Sequence, residues 1–101
     1  MVRMLEHPAR DAITIDAVLS ALADPVRRGI VTQLAEGHSE RACIAFDLPV
    51  TKSTSTHHFR VLREVGVISQ QYRGTAIHNG LRRHDLEVRF PGLLDAVLDA
   101  R

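Results

Sequence analysis

A chain of 101 residues with 45% hydrophobic and 25% charged residues and a net charge of +1 has the make-up of one soluble globular domain and is too short for two. No apolar run approaches the roughly 18 residues of a membrane span, and no signal-peptide apolar region opens the chain, so a cytoplasmic protein without a membrane partner is expected. The single cysteine, Cys43, excludes an intrachain disulfide framework and suits a reducing compartment. With one Tyr, three Phe and no Trp, the core is small for a lone domain, which favours pairing with a second copy.

The charge is unevenly spread. Between Val50 and Arg83 stand Lys52, Arg60, Arg63, Arg73, Arg82 and Arg83, against Glu64 as the lone acid, with His57, His58 and His78 in the same segment. A solvated surface would look like this, and so would a face built for an anionic partner such as nucleic acid.

Residues 1–10 show no clear periodicity and carry Pro8, which reads as a mobile arm, helical near its end, before a domain over 11–101. A first helix places Ile15, Val18, Leu19 and Leu22 on one face. Asp24 before Pro25 is a helix start, because Asp caps free N–H groups and Pro loses no hydrogen bond at the first position. The second helix then runs to about Glu36, with Val26, Ile30, Val31 and Leu34 inward and Gly37 closing it. Gly29 in its middle lowers helix propensity, so it is expected to admit a neighbouring helix. "SERACIAF", from Ser39 to Phe46, reads as a short third helix that Pro49 prevents from continuing.

Thr51 is the expected N-cap of a fourth helix over about 52–65, stopped by Gly66. Its polar run "TKSTSTHHF" has Phe59 and Leu62 on one side with Ser55 between them, and Ser53, Thr54, His57 and Arg60 roughly opposite. After Gly66 the period changes to two, and "VISQQYR" and "TAIHNGLR" form a hairpin, about 67–82, turning at Arg73-Gly74. Leu86, Phe90, Leu93, Leu94, Val97 and Leu98 restore helical spacing over about 84–99, with Pro91 kinking or dividing the helix. The expected fold is mostly α with a β-hairpin wing (α+β), a winged helix-turn-helix whose longer helix fits a major groove about 12 Å wide.

"LADPVRRGIVTQL" (Leu22 to Leu34) and "STSTHHFRVLREVGVI" (Ser53 to Ile68) resemble two signature segments of the ArsR/SmtB family of bacterial repressors. The resemblance covers about Ala17 to Leu81. It implies a homodimeric, DNA-binding transcriptional repressor whose first and last helices meet across the dimer. Such a repressor binds double-stranded operator DNA at an inverted repeat and is released by an effector, which the sequence leaves unidentified. By motif position Ser53, Thr54, His57, His58 and Arg60 match the recognition helix, and Arg73 the basic wing tip. Lys52, Arg60 and Arg73 have the charge and reach for phosphates; His58, nearer the flank, is placed to hold the turn or a phosphate. Arg27 and Arg28 suit a DNA-backbone contact or a structural ion pair equally.

The family's paired-cysteine motif is missing around Cys43, which is expected to be a buried thiol, and the His84, Asp85, Glu87, Asp95 and Asp99 tail lacks a second His for a zinc set. Adjacent His57 and His58 point about 100° apart on a helix and do not easily clasp one ion. No metal and no other cofactor are therefore expected. Ser55 departs from the apolar residue usual there. With no Gly-rich phosphate loop, nucleophile elbow or HExxH, no enzyme is expected. The rival reading is a winged-helix interaction module or adaptor that has lost DNA binding.

Overall fold

The computed structural model describes residues 5–37, 41–42, 46 and 48–100. After a short 3-10 turn at Arg10–Ala12 come α1 (Ile15–Leu22), α2 (Pro25–Gly37), β1 (Arg41–Ala42), α3 (Lys52–Val65), β2 (Ile68–Arg73), β3 (Ala76–Leu81), α4 (Arg83–Arg89) and α5 (Leu93–Asp99). None of the described helices is long and apolar enough to cross a membrane.

Caps set the helix starts. Thr14 Oγ1 accepts the Ala17 N–H at 3.3 Å at the head of α1. One carboxylate oxygen of Asp24 accepts the N–H groups of Val26 and Arg27 at 2.8 and 3.1 Å, so α2 begins at the Asp-Pro step as expected. The inward face of α1 is Val18, Ala21 and Leu22, whereas Ile15 and Leu19 remain 39% and 48% exposed. The apolar stripe is thus wider than the contact that α1 makes within its own chain. Among the described residues no neighbour approaches Gly29 closely, since a Cβ added there would meet nothing within 4 Å.

The sheet has strand order β1-β3-β2, all antiparallel, with Gln70 opposite Asn79 and Arg73 opposite Ala76. The hairpin turn is therefore Gly74-Thr75, with Gly74 at φ 65°, a conformation that glycine adopts without a Cβ clash. The expected third helix is not formed at Arg41–Ala42, which pairs instead with Asn79 and His78 of β3. The free edge of β3 offers backbone partners to a two-residue segment too short to show a period. Of that expected helix, residues 39–40 and 43–45, Cys43 included, lie outside the described residues.

The tail is two helices, not one over 84–99. α4 ends at Phe90, whose N–H reaches Leu86 O at 2.8 Å, and Gly92 at φ 83° redirects the chain into α5. Proline at 91 would lack an N–H for the ladder, which is why the helix divides there. Leu86 and Leu94 still reach one core with Ile13, Val18, Ile30, Val31, Phe59, Leu62, Val67 and Ile68, each buried side chain contributing about 1.5–3 kcal/mol.

The N-terminal segment is fastened from Leu5 onward. Arg82 donates to Pro8 O at 2.8 Å, Arg10 pairs with Asp85 at 2.7 Å, and Arg89 donates to Ile13 O at 2.7 Å. Aside from the 3-10 turn that starts at Arg10, this strap from Leu5 to Ile13 forms no helix or strand and is held by side chains from the wing root and α4. Proximity to Arg10, whose hydrogen bond outweighs the penalty of burial, and then to Arg82, holds the Asp85 carboxyl below the usual carboxylate range.

Candidate nucleic-acid interface

The helix α3 is built from both ends. Thr51 Oγ1 accepts the Thr54 N–H at 3.4 Å and lies 3.0 Å from Thr54 Oγ1 and 3.3 Å from Ser53 Oγ. Gly66, at φ 90°, closes the helix with its N–H on Arg63 O. Phe59, 1% exposed, meets the Phe46 ring edge-on at 5.1 Å, and Leu62 lies beside it in the core. These anchors leave the other face of the helix to solvent.

Ser53, Thr54, His57 and Arg60 are exposed there, and Lys52 and Thr56 are exposed at its edge, beside Phe59. Arg60 approaches His57 Nδ1 at 3.5 Å and Glu64 at 3.6 Å; an ion pair this exposed holds its partners weakly. Hydroxyls, an imidazole and a guanidinium on one helical face, with the Lys52 ammonium at its edge, are the groups that phosphate oxygens and base edges engage. Arg73 is exposed at the end of β2, one residue before the wing turn.

His58 is placed differently. It is only 8% exposed, and its Nδ1 accepts from Arg27 at 3.2 Å, while Arg27 Nε donates to Ala21 O at 2.6 Å. Arg28 donates to Leu22 O and Ala23 O at 2.8 and 3.0 Å. Arg27 and Arg28 thus satisfy the last carbonyls of α1, and Arg27 fastens α3 to the α1–α2 corner. Burial disfavours ionisation of Asp24 in that corner. The N–H groups of Arg27 and Val26, with the Arg27 guanidinium, outweigh it and hold the carboxyl below its usual range. The His57 and His58 rings lie 5.7 Å apart, one exposed and one buried. Among the described residues no three His, Cys, Asp or Glu come together to hold a metal ion.

Two features escaped the sequence. Gln70 and Asn79 are 4% and 0% exposed, linked at 2.8 Å, and Gln70 Oε1 accepts from Arg63 at 2.9 Å. This buried polar chain ties the C-terminal half of α3 to the wing; alternation in "VISQQYR" does mark Gln70 as sharing a face with Ile68. The second is what Ser55 does. Its hydroxyl donates to Thr51 O at 3.0 Å, and the half-buried side chain lines a cleft of about 380 Å³ with Phe46, Leu48, Val50, Lys52, Thr56 and Phe59. A small residue here leaves room beside the helix without leaving a polar atom unpaired.

Residues 24–70, from the α2 cap to the middle of β2, match the family described as bacterial regulatory protein, arsR family. The chain is 33% identical over 64 residues to the transcriptional repressor SdpR of Bacillus subtilis (strain 168), covering 63% of this chain and 71% of that protein. It is 37% identical over 60 residues to the HTH-type transcriptional regulator Rv2034 of Mycobacterium tuberculosis (strain ATCC 25618 / H37Rv), covering 59% of this chain and 56% of that one. An uncharacterized HTH-type transcriptional regulator of Bacillus subtilis (strain 168), YceK, is 26% identical over 82 residues, covering 79% and 82%. With its capped polar helix, its basic hairpin and these relatives, the chain belongs to the arsR family and is a DNA-binding transcriptional regulator.

Proposed function

We propose that this regulator is a homodimeric, cytoplasmic repressor that reads an inverted-repeat operator with the exposed half of α3 and is released by an effector. The observation that carries the reading is the joint exposure of Ser53, Thr54, His57 and Arg60 on a helix whose opposite face is clamped by Phe59 and Leu62, with Lys52 exposed at its N-terminal end. In this arrangement Ser53, Thr54, His57 and Arg60 face base edges and nearby phosphates, and Lys52 and Arg73 grip the backbone. His58 supports them from behind through Arg27. The exposed apolar side chains Ile15 and Leu19 on α1 and Val88 on α4 supply the seam of a two-fold dimer, which sets half-sites about 34–36 Å apart. The repressor name of the relative SdpR supports the direction of regulation.

Binding to a duplex selected from a random pool tests this. Arg60→Ala is expected to weaken binding roughly 10-fold or more and to lower the salt slope by about one, with thermal stability unchanged because Arg60 is exposed. An unchanged affinity at moderate salt would remove α3 as the reading surface. Affinity indifferent to salt would favour the interaction-module reading.

A further inference from the structure

The order β1-β3-β2 leaves β2 as an edge strand, so its outward N–H groups have no strand partner. Gln70 lies on that edge and is itself buried, so its N–H needs an acceptor. The acceptor is an imidazole, since Gln70 N–H donates to His7 Nε2 at 2.9 Å. The other ring nitrogen, Nδ1, lies 2.9 Å from Leu5 O. A backbone N–H only donates and a carbonyl only accepts, so the two contacts together require hydrogen on Nδ1 and a lone pair on Nε2. Only the neutral Nδ1–H tautomer makes both bonds. The imidazolium would turn an N–H toward another N–H.

We propose that His7 is a proton-operated latch that fastens the N-terminal strap to the outer edge of the wing and lets it go in acid. The groups acting on the ring come from every side. His7 is exposed as a residue, yet burial of its ring against β2 is the largest influence and disfavours the charged form. The Leu5 carbonyl favours that form, and the guanidiniums of Arg63 on α3 and Arg82 after β3 disfavour it again. Asp85, the nearby carboxylate of the strap's other tether, is engaged by Arg10 and Arg82. His7 therefore sits below the ordinary imidazole range. A base with a depressed folded value keeps its contribution above about pH 6.5 and loses it as pH falls through the lower, folded value.

The reach of the latch is short but well placed. Gln70 also accepts from Arg63 and donates to Asn79, so the residue that His7 grips joins the recognition helix to the wing. Release would free Leu5 to His7, while Arg82 still holds Pro8 O. Through Gln70, acid would loosen the wing against α3. That consequence for DNA rests on the reading proposed above; the latch itself does not.

The test uses the whole chain without DNA first. Imidazole ¹⁵N spectra at neutral pH should show His7 as the Nδ1–H tautomer, and the exchange protection of the Gln70 amide should vanish with the same midpoint as the ring titrates. In His7→Gln, whose side-chain oxygen accepts without titrating, protection should stay flat with pH; in His7→Ala it should be absent throughout. An Nε2–H tautomer, or Gln70 protection indifferent to the titration, would overturn the latch. With a duplex selected from a random pool, acid should weaken binding more in the parent than in His7→Gln. Matching pH profiles would overturn the link to the wing, and loss of binding in Arg60→Ala alone reports only on the reading surface.

Discussion

The two halves of α3 share one backbone and opposite duties. From Lys52 to Arg60 the polar side chains other than the buried His58 and half-buried Ser55 stand in solvent, and the hydroxyls are bonded to one another or to the helix's own carbonyls. From Val61 to Gly66 the same helix is committed, with Leu62 in the core, Arg63 on Gln70 and Gly66 pressed beneath the strap. Arg60 and Arg63 make the contrast within one turn. Chemically identical, one is held by a weak exposed pair and the other by a buried amide. A reading surface needs side chains free to exchange partners, and that freedom rests on a neighbouring half that has none.

The contrast breaks first at Gly66. Its φ of 90° suits glycine, and a Cβ would stand 2.6 Å from Ile13 Cγ1 and 3.2 Å from Pro8 Cγ. Gly66→Ala is expected to destabilise by about 3 kcal/mol, combining strain and overpacking, which thermal unfolding would register as a fall of more than about 10 °C for a domain this size. A loss below about 1 kcal/mol would show that the strap moves aside freely. Asn79→Ala should come next. It leaves the buried Gln70 amide without its acceptor, at about 1–3 kcal/mol in denaturant titration, and it should lower stability more than it lowers DNA affinity. The opposite ranking would make the buried chain part of the reading surface. Smallest is Ser55→Ala, on the open half. Its hydroxyl shares Thr51 O with its own N–H, and alanine is the better helix former, so stability should change by less than about 0.5 kcal/mol. A larger loss would mean that the Ser55 hydroxyl does more than line the cleft.

What the sequence made legible was governed by local rules. Asp24-Pro25, Thr51 and Gly66 mark helix ends because caps and positive φ act within a few residues, and they placed α2 and α3 closely. The hairpin followed from a change of period. Lost were features made by distant partners. β1 is two residues long and exists only because β3 has a free edge. The strap is held by Arg82, Asp85 and Arg89, more than 70 positions away. At the candidate site, periodicity put His57 and Arg60 outward, as found. It left His58 on the flank, where Arg27 draws it into the corner between helices. Ile15 and Leu19 share their stripe with Val18 and Leu22 yet stay exposed, because an apolar stripe does not tell a chain's own interior from a surface kept for another molecule.

The pairing of β1 with β3 divides the wing along its length. At His78 and Asn79 the central strand has neighbours on both sides; at Ala76 and Ile77 its partner among the described residues is β2. A three-stranded root resists torsion, while a two-stranded ribbon twists more readily. On that footing the described pairing makes Tyr72 to Ile77, which include Arg73, the more readily twisted part of the wing. If the wing grips DNA as proposed above, a tip that twists on a stiffer root would follow a groove that widens or narrows from one operator to the next.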